Sequence, residues 1–260
     1  MRIAVVAAVS VCLCGLSGTA QSASWDLVPQ LSGFGDFETI TQNNLGKPTF
    51  GGSGIPTNNM AIQTYDVGNN DFLTLGLTAT PRFSSPAPTN DGAGTFFVQP
   101  GINNEGSTPG AQWNFSFFAG LFDSSGNPLN LDRTLAAFEL QLQFDPDPGA
   151  ATDISEFGAI TNIGLQIASA PFNIQSQGSQ NLLFASFQNG APGLVDAPAF
   201  NMFDALATGE YSFILSASDA MGSGSTSITV NAVPIPGAAP LFLTALAAAG
   251  VYRRYNVKRS

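Results

Sequence analysis

Four acidic residues, Asp145, Asp147, Asp153 and Glu156, fall within one short stretch that also holds Pro146, Pro148 and Gly149. Loops of that composition can wrap a calcium ion in carboxylate and carbonyl oxygens. Asp145, Asp147 and Asp153 are accordingly the candidate metal ligands, and calcium is the candidate cofactor. Their spacing follows no calcium-loop consensus, so the competing reading is a solvated acidic loop that keeps a strand edge from pairing with another chain. Asp66 with Asn69, Asn70 and Asp71 forms a second set of the same kind. Other chemistry is bounded by what the chain lacks. It has no histidine, and its two cysteines, Cys12 and Cys14, lie in an apolar stretch near the N-terminus. Histidine-dependent hydrolysis by serine or cysteine is thereby excluded, and so is zinc held by imidazole. Lys47, beside Pro48, is expected to be a solvated loop side chain, and no glycine-rich phosphate loop joins a strand to a helix. Hydrolysis of glycans by carboxylates needs two acids facing across a cleft, which spacing alone does not identify. The expectation is a chain without catalytic residues.

The elements that would position these side chains are strands. Candidate strands with period-2 alternation run over 34–41, 60–67, 72–80, 95–99, 112–122, 135–145, 160–168, 182–187, 211–218 and 225–232. In the clearest of them Phe138, Leu140, Leu142 and Phe144 share one face. Trp113, Phe115 and Phe117 share another, with Asn114 and Ser116 opposite. Turn residues separate the runs at 68–71, 90–92, 125–128 and 221–224. Long loops are expected at 43–59 and 99–110, and one helical turn at 201–207. The pattern predicts an all-β fold, an antiparallel two-layer β-sandwich of jelly-roll character, occupying 24–232.

All eighteen acidic residues lie between Asp26 and Asp219, against the three basic residues Lys47, Arg82 and Arg133, which leaves that body at −15. Nucleic acid is not an expected partner of such a surface, which also repels anionic lipid. Polysaccharide is the alternative partner, because β-sandwiches can stack pyranose rings on exposed aromatic faces. Trp25, Tyr65, Trp113 and Tyr211 are the rings to consider. The register of Trp113 and the excess of phenylalanine point instead to burial.

Both ends carry signals. Arg2, an apolar stretch over 3–16 and a small-residue segment over 17–23 read as a secretory signal helix removed after residues 20–23, taking Cys12 and Cys14 with it. The mature body is then free of cysteine and must be held by its own core. At the other end, 233–252 is uncharged for twenty residues, which at helical rise spans about 30 Å, one hydrocarbon thickness. Arg253, Arg254, Lys258 and Arg259 follow, and the positive-inside bias holds them in the cytoplasm.

The order Val233, Pro234, Ile235, Pro236, then an apolar span over about 237–252 and a basic tail over 253–260, resembles the VPLPA/PEP-CTERM sorting signal read by exosortases in Gram-negative bacteria. The stretches 112–117, 137–148, 179–184, 209–219 and 225–233 are similar to ectodomains carried by such proteins. Gly237 stands where alanine is commoner, and Tyr255, Asn256 and Val257 interrupt the basic end. The resemblance implies an exported protein whose C-terminal segment pauses as one transmembrane helix in the inner membrane. An exosortase-like enzyme there recognises Val233 to Pro236 and passes the body to the cell surface or to a biofilm matrix. The expected role is a non-catalytic surface or matrix protein. The alternatives are a polysaccharide-binding module of that matrix and a carboxylate-dependent glycan hydrolase.

Overall fold

The computed structural model describes residues 24–41, 56–123, 134–161, 174–198 and 202–234. Two sheets face each other across one apolar core. The first holds β1 (Asp26–Leu27), β2 (Gly33–Gly35), β3 (Met60–Asp66), β4 (Asp71–Pro81), β9 (Trp113–Asp123) and β12 (Gln175–Gln180), in the order β1-β3-β4-β9-β12 with β2 also on β3. The second holds β5 (Thr89–Asn90), β6 (Thr95–Val98), β10 (Glu139–Phe144), β11 (Gly158–Ile160), β13 (Val195–Asp196), β14 (Gly209–Ser218) and β15 (Ser223–Ala232), in the order β13-β11-β10-β14-β15-β6-β5. A small ribbon of β7 (Ile102–Asn103) and β8 (Gly110–Ala111) sits apart from both. Every pairing is antiparallel except β6 with β15, which run parallel through Thr95–Thr229 to Val98–Ala232. That pair departs from the expected all-antiparallel arrangement.

Alternation builds the core. Leu73, Leu75 and Leu77 of β4 and Trp113, Phe115 and Phe117 of β9 meet Leu140, Leu142 and Phe144 of β10 and Tyr211, Phe213 and Leu215 of β14 in a single buried cluster. The Phe115 and Phe213 rings stack across the sheets at 4.7 Å between centroids. The opposite face of the first sheet is buried as well, which period-2 reasoning did not anticipate. Phe118 and Phe122 join Phe37, Met60 and Ile62 in a second cluster there, while Thr74, Thr78 and Ser116 are also buried. Phe37 comes from α1 (Phe37–Ile40), which lies over that face and meets the Phe118 ring at 4.9 Å.

Several expected strands resolve differently. The stretch 34–41 holds only the end of β2 before the chain turns into α1, because the Asp36 carboxylate accepts from the Thr39 N–H at 2.9 Å and caps a helical turn. Residues 135–137 form a 3-10 turn, so β10 starts at Glu139. The stretch 182–187 is no strand: Leu182 to Phe184 turn into α2 (Ala185–Asn189). The strand lies just before it, as β12, whose sequence of Gln, Ser and Gly has no apolar period to reveal it. The expected turn at 68–71 closes the β3–β4 hairpin, with Asn69 and Asn70 at φ 60° and 61°, a left-handed conformation that asparagine tolerates. Over 202–207 the chain makes one hydrogen-bonded turn, the Ala207 N–H donating to the Asp204 carbonyl at 3.1 Å, without forming a helix, and Asn201 lies outside the described residues. The turn at 125–128, all but the first two residues of 160–168, and most of the loop at 43–59 also fall outside.

Replacing Phe213 with alanine removes the ring that stacks on Phe115 and packs edge-on to Trp113. A loss of about 3–5 kcal/mol in urea unfolding is expected from the cavity left behind.

Candidate functional site

The antiparallel registers bring the expected site residues to one end of the sandwich. Pro81 pairs with Trp113, Phe144 with Phe213, and Gly209 with Ala232, so the last residues of β4, β10 and β15 and the first of β9 and β14 share that end. Asp145 and Asp147 follow β10 there, and Val233 follows β15. The turn at Asp219–Gly222 and the N-terminal Ser24 and Trp25 lie at the other end, where the Trp25 N–H donates to the Ser223 carbonyl.

Each candidate calcium ligand is engaged by its own loop. The buried Asp145 carboxylate accepts from the Asp147 N–H at 2.9 Å, and Asp147 accepts from the Gly149 N–H at 2.6 Å. Asp153 accepts from the N–H and hydroxyl of Ser155 at 2.9 and 2.7 Å, capping the 3-10 turn Ile154–Glu156. Aspartate is favoured in such turns because its short carboxylate stands in for a backbone acceptor. Asp66 does the same for the Gly68 N–H at 2.8 Å. Among the described residues no three acid, histidine or cysteine side chains gather in a metal-binding arrangement. The acids remain electrostatically linked. Burial pushes Asp145 above the usual carboxylate range, and Asp147 and Glu156 add to the rise. Burial, then Asp204, Asp147 and Asp145, push the Tyr211 phenol up to about 12.

Of the four rings considered for sugar stacking, Trp25, Trp113 and Tyr211 belong to the interior and Tyr65 is half-buried against the core. Trp113 lies edge-on to Phe203, Tyr211 tilts against Trp113, and Trp25 meets the edge of Phe138 at 5.6 Å. The Tyr65 hydroxyl donates to the Ser225 carbonyl at 2.6 Å and accepts from the Ser225 N–H at 2.9 Å, joining the two sheets. Among the described aromatic residues, Phe83 and Phe97 are the exposed ones, at 59% and 37%.

Two residues that sequence reasoning passed over organise this end. Asn181, fully buried, accepts from the Ala111 and Leu183 N–H groups and donates to the carbonyls of Ala111 and Trp113 and to Asn114 Oδ1. It ties β8, β9 and the start of α2 together. Arg82 is the one basic side chain among the described residues and is buried. Its Nη2 donates to the Thr108 carbonyl, and its guanidinium carbon lies 4.8 Å from the Phe83 ring centre and 5.2 Å from that of Phe184. Burial lowers its pKa, and its buried Nε finds no partner. A Cβ on Gly110 would come within 2.6 Å of Nε, so the guanidinium fits only against glycine. Phe83 holds φ at 50°, a strained conformation for an aromatic residue, and its ring sits on Gly106. The composition held a signal for Arg82, one of only three cations in an acidic body, but not for Asn181.

No known family, no curated protein and no solved structure matches the chain.

The raised Asp145 pKa fixes the sign of a pH dependence. The folded state binds this proton more tightly than the unfolded chain, so its contribution to stability is complete below the unfolded value of about 3.9 and is lost as pH rises through the folded value. Asp145→Asn keeps an oxygen to accept from the Asp147 N–H and does not titrate. Its stability relative to the natural chain should therefore climb between about pH 4 and pH 7 in urea titrations; a difference independent of pH would show that Asp145 is not the group responsible.

Proposed function

We propose that this chain is an exported, non-catalytic protein of the cell surface or extracellular matrix of a Gram-negative bacterium, sorted through its C-terminus by an exosortase-like enzyme. The observation that carries the reading is the order of signals at 233–260: Val233, Pro234, Ile235 and Pro236, an uncharged span, then Arg253, Arg254, Lys258 and Arg259. In this reading the first four residues are the recognition segment, the span is a temporary transmembrane helix, and the basic residues set its orientation. The body is a jelly-roll-like sandwich that enters the membrane only through this tail. Residues 1–23 and 235–260, with Ile235 and Pro236 of the motif among them, lie outside the described residues, and among those described no helix is long and apolar enough to cross a membrane.

The junction supports the reading. β15 ends at Ala232, and the Val233 N–H donates to the Val98 carbonyl at 2.9 Å, so the last strand is complete where the recognition segment starts. Cleavage after this point would leave the sheet whole. The way Asp145, Asp147 and Asp153 serve their own turns supports a structural use of the acids over a calcium site or a hydrolytic pair. Polysaccharide binding is the second reading, favoured by the exposed ring of Phe83, and the partner would be an exopolysaccharide.

Intact-mass measurement of the chain from cells with and without the sorting enzyme tests the proposal. With the enzyme, the protein should lose both its first 20–23 residues and everything beyond the 233–236 motif. Without it, the tail should persist and the chain should stay with membranes. Recovery of the intact tail on soluble extracellular protein, enzyme or not, defeats the proposal.

A further inference from the structure

We propose that, while the tail is in the bilayer, the body rests on the membrane surface through the end of the sandwich that carries Phe83, Ile102, Met202, Leu206 and Val233. The inference rests on the reading of the tail as membrane-embedded and adds to it the face that meets the lipid. Pro234, Ile235 and Pro236 alone separate Val233 from the start of the apolar span at Gly237. Three extended residues reach at most about 11 Å. Val233 is hydrogen-bonded to Val98, so that leash cannot be lengthened without unpairing the sheet. This end of the body is therefore held at the headgroup layer, where even weak contacts form because the effective concentration is high.

The side chains at this end suit that environment. Phe83, Ile102, Met202, Leu206 and Val233 are 59%, 45%, 65%, 65% and 43% exposed. Hydrogen bonds join their segments. Gly101 N–H donates to the Ala205 carbonyl, placing Ile102 beside the 202–206 loop, and Asn103 donates to the Arg82 carbonyl, placing Ile102 near Phe83. Apolar side chains gathered around a membrane-entry point favour the headgroup and acyl boundary over water. The acidic residues Asp147, Asp204 and Glu210 share this end, so the lipid that fits is zwitterionic. Release of the tail removes the leash, and the acidic body then leaves the surface. The contact is temporary by construction.

The test uses the chain from Ser24 onward, the cysteine-free form that removal of the first 23 residues leaves, reconstituted in phosphatidylcholine vesicles and carrying Met202→Cys, Leu206→Cys or Met221→Cys labelled with a polarity-sensitive fluorophore. Met221, 73% exposed, lies at the far end and is as open to solvent in the isolated body as Met202 and Leu206, so any difference comes from the bilayer. The expected result is blue-shifted emission and several-fold stronger quenching by spin-labelled lipid at 202 and 206 than at 221. Chain that floats with vesicles but shows equal quenching at all three positions overturns the docking face and leaves the membrane tail standing. Chain that does not float with vesicles overturns both.

Discussion

The fold depends on apolar faces closing over one another without covalent help. The described body has no cysteine, and its one basic side chain makes no ion pair with a described acid. Cohesion therefore falls to the shared cluster in which Phe115 stacks on Phe213 and Trp113 sits among Phe203, Tyr211 and Phe213. Aromatic rings suit the task because each buries a large area and meets its neighbours edge-on or offset. The chain changes sheet repeatedly, β9 on one side, β10 and β11 on the other, then β12 back on the first. Neither sheet is a continuous stretch of sequence, so neither can be buried before the other is present.

Polar groups buried at the same end give that closure its register. Asn181 offers both faces of its amide to backbone groups of β8 and β9, and an apolar residue of similar size would leave the Ala111 N–H without a partner in the interior. Arg82 is placed differently. It has one carbonyl and two ring faces in place of a counter-ion, an arrangement in which dispersion and cation–π attraction partly offset lost hydration. The strain at Phe83 accompanies that placement, since its ring is held between Arg82 and Gly106.

What the sequence disclosed follows from how each element earns its burial. β10 and β14 bury one face and leave the other partly open, so alternation marked β14 to within two residues of its ends and placed the end of β10 to within one residue but its start four residues early, in the 3-10 turn. β4 and β9 bury both faces, yet their apolar runs still read as strands. β12 escaped because its stability comes from pairing with β9 and from Asn181 at its end, neither of which leaves a periodic trace. Phe37 to Ile40 misled because the short run has little period of its own; the three-residue spacing of Phe37 and Ile40 puts them on one face of a helical turn and on opposite faces of a strand, and the Asp36 cap forms that turn. The acidic loop was legible as acidic, but whether its carboxylates turn toward a common centre or toward their own backbone is a matter of φ and ψ that composition does not carry.

The two ends of the body are set apart by the last strand. Ser24 bridges to Ser223 at the start of β15, and Val233 leaves from its end, so ten strand residues, about 33 Å, lie between the points where the chain enters and leaves the described fold. Trp25, buried against Phe138 and Tyr65, follows Ser24 directly and leaves no slack at the first point, as the Val98 bond leaves none at the second. Under the proposed sorting the two sheets need not wait for the tail to leave, because the last strand already ends at Ala232 and the Val233 N–H is bonded to Val98.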